Sequence, residues 1–392
     1  MTIPSNQTPH QDASRGWWGV LRSQRFLKLD VGLWGLAVVA AALAGLVWGF
    51  VYFVPLSPSP AVAPWATSDQ VGPVSPDAAA EEILQTGRKV RRALDGVIVS
   101  PEAAEPDRWA VVVDNMVEAR PATGLSQASV IIEAPAEGGI TRLLAIFAAD
   151  ATLPKVGPVR SARPYFLDWA EEYGALFVHV GGSPEALERL EVSDLRDANE
   201  FSAGAYFWRD EVRKAPHNAY TSDVLLKRLV ERRYSERRPA TLSPWKFAKL
   251  LVGGDTGPSA APEGNVTPPA VVIDQSTPPY RVRWEYDGTA GDYRRYQGGK
   301  AQVDGDNVLL ARNVIVQFVK VRILDEVGRR RIVTVGSGDA IVFSGGVANR
   351  GTWEKKSLRE RTRFYDVAGG EVALHPGLTW IQAVPVGTII EY

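Results

Sequence analysis

The sequence predicts a layered α/β sandwich followed by a predominantly β domain, both set behind one N-terminal transmembrane helix. Three observations carry this reading. An uncharged, mostly apolar run of about 24 residues lies between Asp30 and Pro55, strand-like runs alternate with helical spacings over residues 95–240, and apolar and polar side chains alternate after residue 270. With 392 residues, 45% hydrophobic and 23% charged, the chain has enough mass for two cores.

At ~1.5 Å per residue, the run 31–54 crosses a hydrocarbon core of ~30 Å, so the lipid bilayer is the first expected partner. Arg15, Arg22, Arg25 and Lys28 precede the run, and no Lys or Arg follows until Arg88. The positive-inside rule therefore keeps residues 1–30 cytoplasmic and places the bulk of the chain outside the cell membrane. Ala61-Val62-Ala63 has the small-x-small look of a signal-peptide cleavage site, but secretory apolar cores run only ~7 to 15 residues, and an uncleaved anchor is expected. Residues 55–80, rich in Pro, Ala and Ser and without periodicity, read as an extended tether.

The α/β domain is assigned to residues 81–250. Residues 81–97 carry Ile83, Val90 and Leu94 at helical spacing and end near Gly96, which predicts a helix. RWAVVVDNM gives a strand ending at Asp114, and ASVIIEAPAEGGITRLLAIFAAD reads as strand, turn and strand. A helix from about Pro164 to Tyr173, a strand ALFVHV, a helix from Pro184 and another from Ser222 complete the alternation. Residues 251–269 are a Gly/Pro-rich linker. The β-rich domain, 270–392, contains RVRWEYDG, the runs NVIVQFVKVRIL and RRRIVTVG about a DEVGR turn, and a hairpin pattern in FYDVAGGEVALHPGLTWIQAVP.

Composition also excludes. A formal net charge of -1 and the absence of any recognisable motif argue against nucleic acid as a partner. With no cysteine, disulfides, thiolate catalysis, zinc knuckles and a lipid-modified N-terminal cysteine are all ruled out. There is no Walker A loop, dinucleotide fingerprint, HExxH or GxSxG, so no cofactor is expected, and no ligand spacing supports a metal.

The blocks EGGITRLLAIF (137–147), VGPVRSARPYF (156–166), HVGGSPEA (179–186) and KAPHNAYT (214–221), supported by RGTWEKKS and TRFYD, occur in one order. Through them residues 95–388 resemble the YerB-like family of lipoproteins, whose two-part extracytoplasmic region is a domain of unknown function. The resemblance implies an envelope-facing α/β protein and brings no activity with it. Family members carry a lipidated cysteine, where this chain has an apolar run.

The candidate chemistry lies in those blocks. Arg160 and Arg163 stand where a helix would begin, at the positive end of its dipole, so each needs a negative partner. Guanidinium forks and free helix N–H groups together suit a carboxylate or phosphate ligand, and a salt-bridge network with Asp114, Glu133 or Glu137 would satisfy them equally well. Arg142 is held near the same sheet end by the expected hairpin. In KAPHNAYT, His217 is placed to exchange protons and Lys214 or Asn218 to orient a substrate oxygen, while the plainer reading is a polar network that shapes the loop. Asp114, Glu133 and Glu137 are candidate acid, base or nucleophile groups. His179 reads as a hydrogen-bonded core histidine, and HVGGSPEALERL as a turn capped by Ser183.

Two functions follow as expectations. In the first, an anchored envelope protein binds an anionic glycan or phosphorylated wall precursor at Arg142, Arg160, Arg163, Lys214 and Asn218, with hydrolase or transferase chemistry at His217, Asp114 or Glu137. In the second, the same residues hold a non-catalytic interaction or structural module of the envelope.

Overall fold

Residues 89–237, 240–249, 268 and 270–392 are described by the computed structural model. The expected transmembrane helix, the tether and nearly all of the linker lie outside the described residues. The first part contains β1 (Arg108–Asp114), β2 (Val130–Pro135), β3 (Thr141–Ala148), α1 (Pro164–Glu172), β4 (Leu176–His179), α2 (Pro184–Glu191), β5 (Asp197–Asn199) and α3 (Asp223–Arg233). The second contains β6 (Ala270–Asp274), β7 (Val282–Asp287), β8 (Asp292–Gln297), β9 (Asn313–Val319), β10 (Gly336–Ser344), β11 (Val347–Lys355), β12 (Arg363–Asp366), β13 (Thr379–Pro385) and β14 (Ile389–Glu391). The mixed α/β region followed by a strand-rich region agrees with the sequence reading.

Ten strands from both parts form one sheet in the order β12-β11-β10-β9-β13-β2-β3-β1-β4-β5. The parts meet where β13 runs parallel to β2, with Trp380 opposite Ile131 and Gln382 opposite Glu133. At the other end β1, β4 and β5 are mutually parallel, and β3 lies antiparallel between β1 and β2.

Both faces of this sheet are covered, which is why strands such as RWAVVVD are apolar almost throughout. Trp109, Val111 and Val113 of β1 join a core with Leu226 and Leu229 of α3 and with Val271, Val282 and Trp284 of a smaller sheet built on β8-β7-β6-β14. Ala110 and Val112 point the other way, into a core with Tyr165, Phe166 and Trp169 of α1 and Ala186 of α2. Complete burial of one such aliphatic side chain contributes ~1.5–3 kcal/mol. The helix starts follow the sequence signals: Pro164 and Pro184 open α1 and α2, and the Ser183 and Ser222 hydroxyls cap α2 and α3.

Two expectations are corrected. Over its described residues the helix predicted at 81–97 is a hairpin, Val90–Arg91 pairing with Ile98–Val99. Asp95 decides this, because its carboxylate accepts from Arg92 Nε (3.0 Å), Arg92 Nη2 (2.7 Å) and Val97 N (3.2 Å), while Gly96 takes φ +74°. Side-chain bonding at a turn here overrides a sparse helical spacing. The strands in FYDVAGGEVALHPGLTWIQAVP do not pair with each other, since β12 joins β11 and β13 inserts between β9 and β2.

Candidate functional site

The carboxyl ends of the parallel strands β1, β4 and β5 are where open α/β sheets collect ligands, and Asp114, Glu137, Arg142, Arg160, Arg163 and His217 of the predicted site residues gather there. Asp114 is the last residue of β1 and faces Arg142 across the ladder. The segment 157–163 crosses beyond the strand ends: Asp114 N donates to Pro158 O, Arg160 N to Val112 O, and Val180 N to Arg160 O. Gly157 permits the crossing. It takes φ +144°, and a Cβ there would sit 2.8 Å from both Ala219 O and Val159 N.

Asp114 is almost completely buried and organises the first group. Its Oδ2 lies 2.7 Å from His217 Nδ1 and 2.9 Å from Arg160 Nε, and its Oδ1 accepts from Met116 N at 3.0 Å. The Arg160 contact is a charge contact without an aligned hydrogen bond at Nε. The His217 and Arg160 side chains retain 14% and 18% of their exposure, so both reach water.

Glu137 organises the second group. It holds Arg163 through two parallel bonds, Nε to Oε1 and Nη2 to Oε2 (2.9 Å), and lies 4.0 Å from Arg142 Nη2. This carboxylate is the negative partner that an arginine at the start of α1 requires. Burial opposes ionisation of Glu137, but the hydrogen bonds and charge of Arg163 prevail and hold its carboxyl below the ordinary range. Arg142 is buried; its Nη1 donates to Ser161 O at 3.1 Å, and its Nε has no partner among the described residues. Desolvation first, then the charge of Arg163, lowers its pKa to about 10. The two groups thus set three guanidiniums against two carboxylates.

Other candidates are placed differently. The loop 210–218 joins the pair Trp208–Arg209 and Ala219–Tyr220. Asn218 serves this loop, accepting from Arg209 Nη1 (3.2 Å) and donating to Asp210 O (3.4 Å). Lys214 is exposed on it, its backbone carbonyl accepting from His217 N at 3.0 Å and its side chain without a partner among the described residues. Glu133 is withdrawn from the site altogether: it is fully buried against Arg295 and bonded by Thr141 and Trp380. His179 is a core histidine, bonded to Gly181 O and Asp197 at 2.6 Å each.

The sequence reading missed Tyr165 and Arg330. Tyr165 donates to Pro135 O at 3.2 Å, and burial, its largest influence, raises its pKa to about 12. Arg330, on the hairpin of Val321–Ile323 with Arg330–Ile332, donates to Ala136 O at 2.7 Å beside Glu137. No local signal links residues so far apart in the chain. The hollow next to α1, of ≈ 170 Å³, is lined by Pro164, Tyr165 and Arg330 among others and not by Arg160, Arg163 or His217.

A two-part α/β protein with one shared sheet and a charged cluster at its parallel strand ends is the class that fold and site define. Residues 94–236 match the model of the N-terminal domain, and residues 271–381 that of the C-terminal domain, described as "Protein of unknown function (DUF3048)". The chain is 32% identical over 311 residues to the "Putative lipoprotein YerB" of Bacillus subtilis (strain 168), covering 78% of this chain and 89% of that one. A crystal structure of the Bacillus subtilis YerB protein superposes with a TM-score of 0.67 at 31% identity, over 78% of this chain and all of that one. The chain belongs to this family, as the ordered blocks indicated.

Proposed function

We propose that the cluster at the strand ends is an anion-recognition site in a membrane-anchored protein facing the cell envelope. The observation that carries the reading is the excess of guanidinium over carboxylate around Arg142, whose Nε is buried without a partner among the described residues. A buried, unpaired N–H costs about 1–3 kcal/mol, and an incoming oxygen anion would recover it. Arg160 and Arg163 flank the position and retain partial exposure. A carboxylated or phosphorylated envelope glycan or wall precursor is the ligand class. The similarity to a protein named as a lipoprotein supports the envelope address. This chain has no cysteine to lipidate, and we assign anchoring to residues 31–54.

Calorimetric titration with inorganic phosphate and with glucuronate tests the site. Arg160→Ala with Arg163→Ala should weaken binding about tenfold or more, since hydrogen bonds to charged groups contribute ~1.5–3 kcal/mol each. Unchanged affinity in a folded double variant would refute the anion site.

A second reading adds chemistry. His217 is oriented by Asp114 through Nδ1, and its Nε2 has no partner among the described residues. Such a pair can take a proton from a water molecule, with Arg160 beside it to steady developing negative charge. Hydrolysis of a phosphate or carboxylate ester, lost in His217→Gln while phosphate binding persists, is the result this reading requires. The alternative of a non-catalytic envelope module requires that neither binding nor hydrolysis be found.

A further inference from the structure

A second hollow, of ≈ 570 Å³, opens between the loop at 117–121 and the turn that follows β8. Its size falls in the ~300–1,000 Å³ range of small-molecule sites. Its walls are apolar: Val117, Pro121, Pro278, Pro279, Ala301 and Val303. Four polar side chains line it, of which Gln302 is already engaged, its Oε1 accepting from Arg295 Nη1. Gln297 is 5% exposed; its Oε1 accepts from Arg295 Nη1 at 3.3 Å, which fixes the amide, and its Nε2 is buried with no partner among the described residues. Arg120 spends its N–H groups on neutral oxygens, Asn115 O, Asn115 Oδ1 and Pro279 O, and lies 4.6 Å from the centre of the Tyr280 ring. Lys300 is exposed at the rim. Among the described residues neither cation forms a salt bridge.

A preformed apolar space with an idle buried donor and two cations that form no salt bridge among the described residues defines its complement. We propose that this hollow binds a small amphipathic carboxylate, its apolar body against the prolines, one oxygen on Gln297 Nε2 and its charge facing Arg120 and Lys300. The hollow shares no lining residue with the strand-end cluster, so this site stands independently of the function proposed above.

The test is calorimetric titration of the full chain in lipid nanodiscs with 4-phenylbutyrate, the heat of empty nanodiscs subtracted, and with 4-phenylbutanol as the neutral counterpart. The acid should bind saturably at one site, and the alcohol about fivefold more weakly or worse, as loss of a charged partner implies. Gln297→Leu and Lys300→Glu should each weaken the acid about fivefold, Val303→Trp should abolish binding by filling the space, and Arg160→Ala with Arg163→Ala should leave it unchanged. No saturable heat, an alcohol equal to the acid, or full affinity in Lys300→Glu would overturn the proposal. Should Val303→Trp fail to fold, Lys300→Glu decides, since that side chain is exposed.

Discussion

Glu133 and Arg295 form an ion pair with no solvent-accessible side-chain surface on either partner, joining β2 of the large sheet to β8 of the smaller one. Arg295 also lies 4.3 Å from the ring centre of Trp380 and 5.4 Å from that of Trp284, so its charge is enclosed by aromatic faces and one carboxylate. Removing one member strands the other. Glu133→Leu or Arg295→Met alone should cost about 3–5 kcal/mol in urea denaturation, and the double variant clearly less than the sum. Additive losses would show that the two charges do not depend on each other.

Arg361 clasps the hairpin at 90–99. It donates to Ala93 O and Leu94 O at 2.6 Å each, and its guanidinium lies 3.5 Å from the centre of the Trp245 ring. Lysine keeps the charge but loses the planar fork. Arg361→Lys should therefore lose roughly 1.5–3 kcal/mol of stability, with faster amide exchange at residues 90–99.

Gly157 supports the strand-end cluster through backbone space alone. Gly157→Ala would place a methyl group against Ala219 O at a positive φ, a strain of about 1–3 kcal/mol. The chain crossing should shift, and the His217 and Arg160 contacts to Asp114 with it. The check is anion affinity and thermal midpoint together, both of which should fall.

Acid should weaken the fold in two separate windows. His375 is held below the ordinary histidine range of 6.5 by burial first and by Arg312 second. The unfolded chain therefore takes up the proton first, and stability declines as pH falls below 6.5. Glu137 is held below 4.5, so its contribution is complete above that value and is lost as pH falls through its folded pKa. Denaturation midpoints followed from pH 7.5 to 3.5 should show both declines. His375→Asn should flatten the upper one and Glu137→Gln the lower.

Glu137→Gln has a second consequence at the site. Arg163 now spends two bonds on Glu137; with a neutral partner it becomes available to a ligand, and phosphate affinity should rise several-fold. A fall would mean that Glu137 orients Arg163 for the ligand and does not compete with it.

Much of this molecule was written locally. Strand runs such as RWAVVVD and TRLLAIFA, the Pro164 and Ser183-Pro184 helix starts, and the need of Arg163 for a carboxylate all rest on interactions within a few residues or on the sign of a helix dipole, and a sequence displays these directly. The family, too, was legible, because its blocks recur in order. The hairpin at 90–99 was not, since one aspartate bonding its own turn outweighed three apolar residues at helical spacing. Only the tertiary structure decided that strands of both parts close into one sheet, that Glu133 belongs to Arg295 and not to the site, and that Asp114 serves His217 and Arg160 at once. Each of these joins residues tens to hundreds of positions apart, and such pairings are chosen by the burial of apolar faces and the cost of leaving a charge alone in the interior, which no stretch of sequence states by itself.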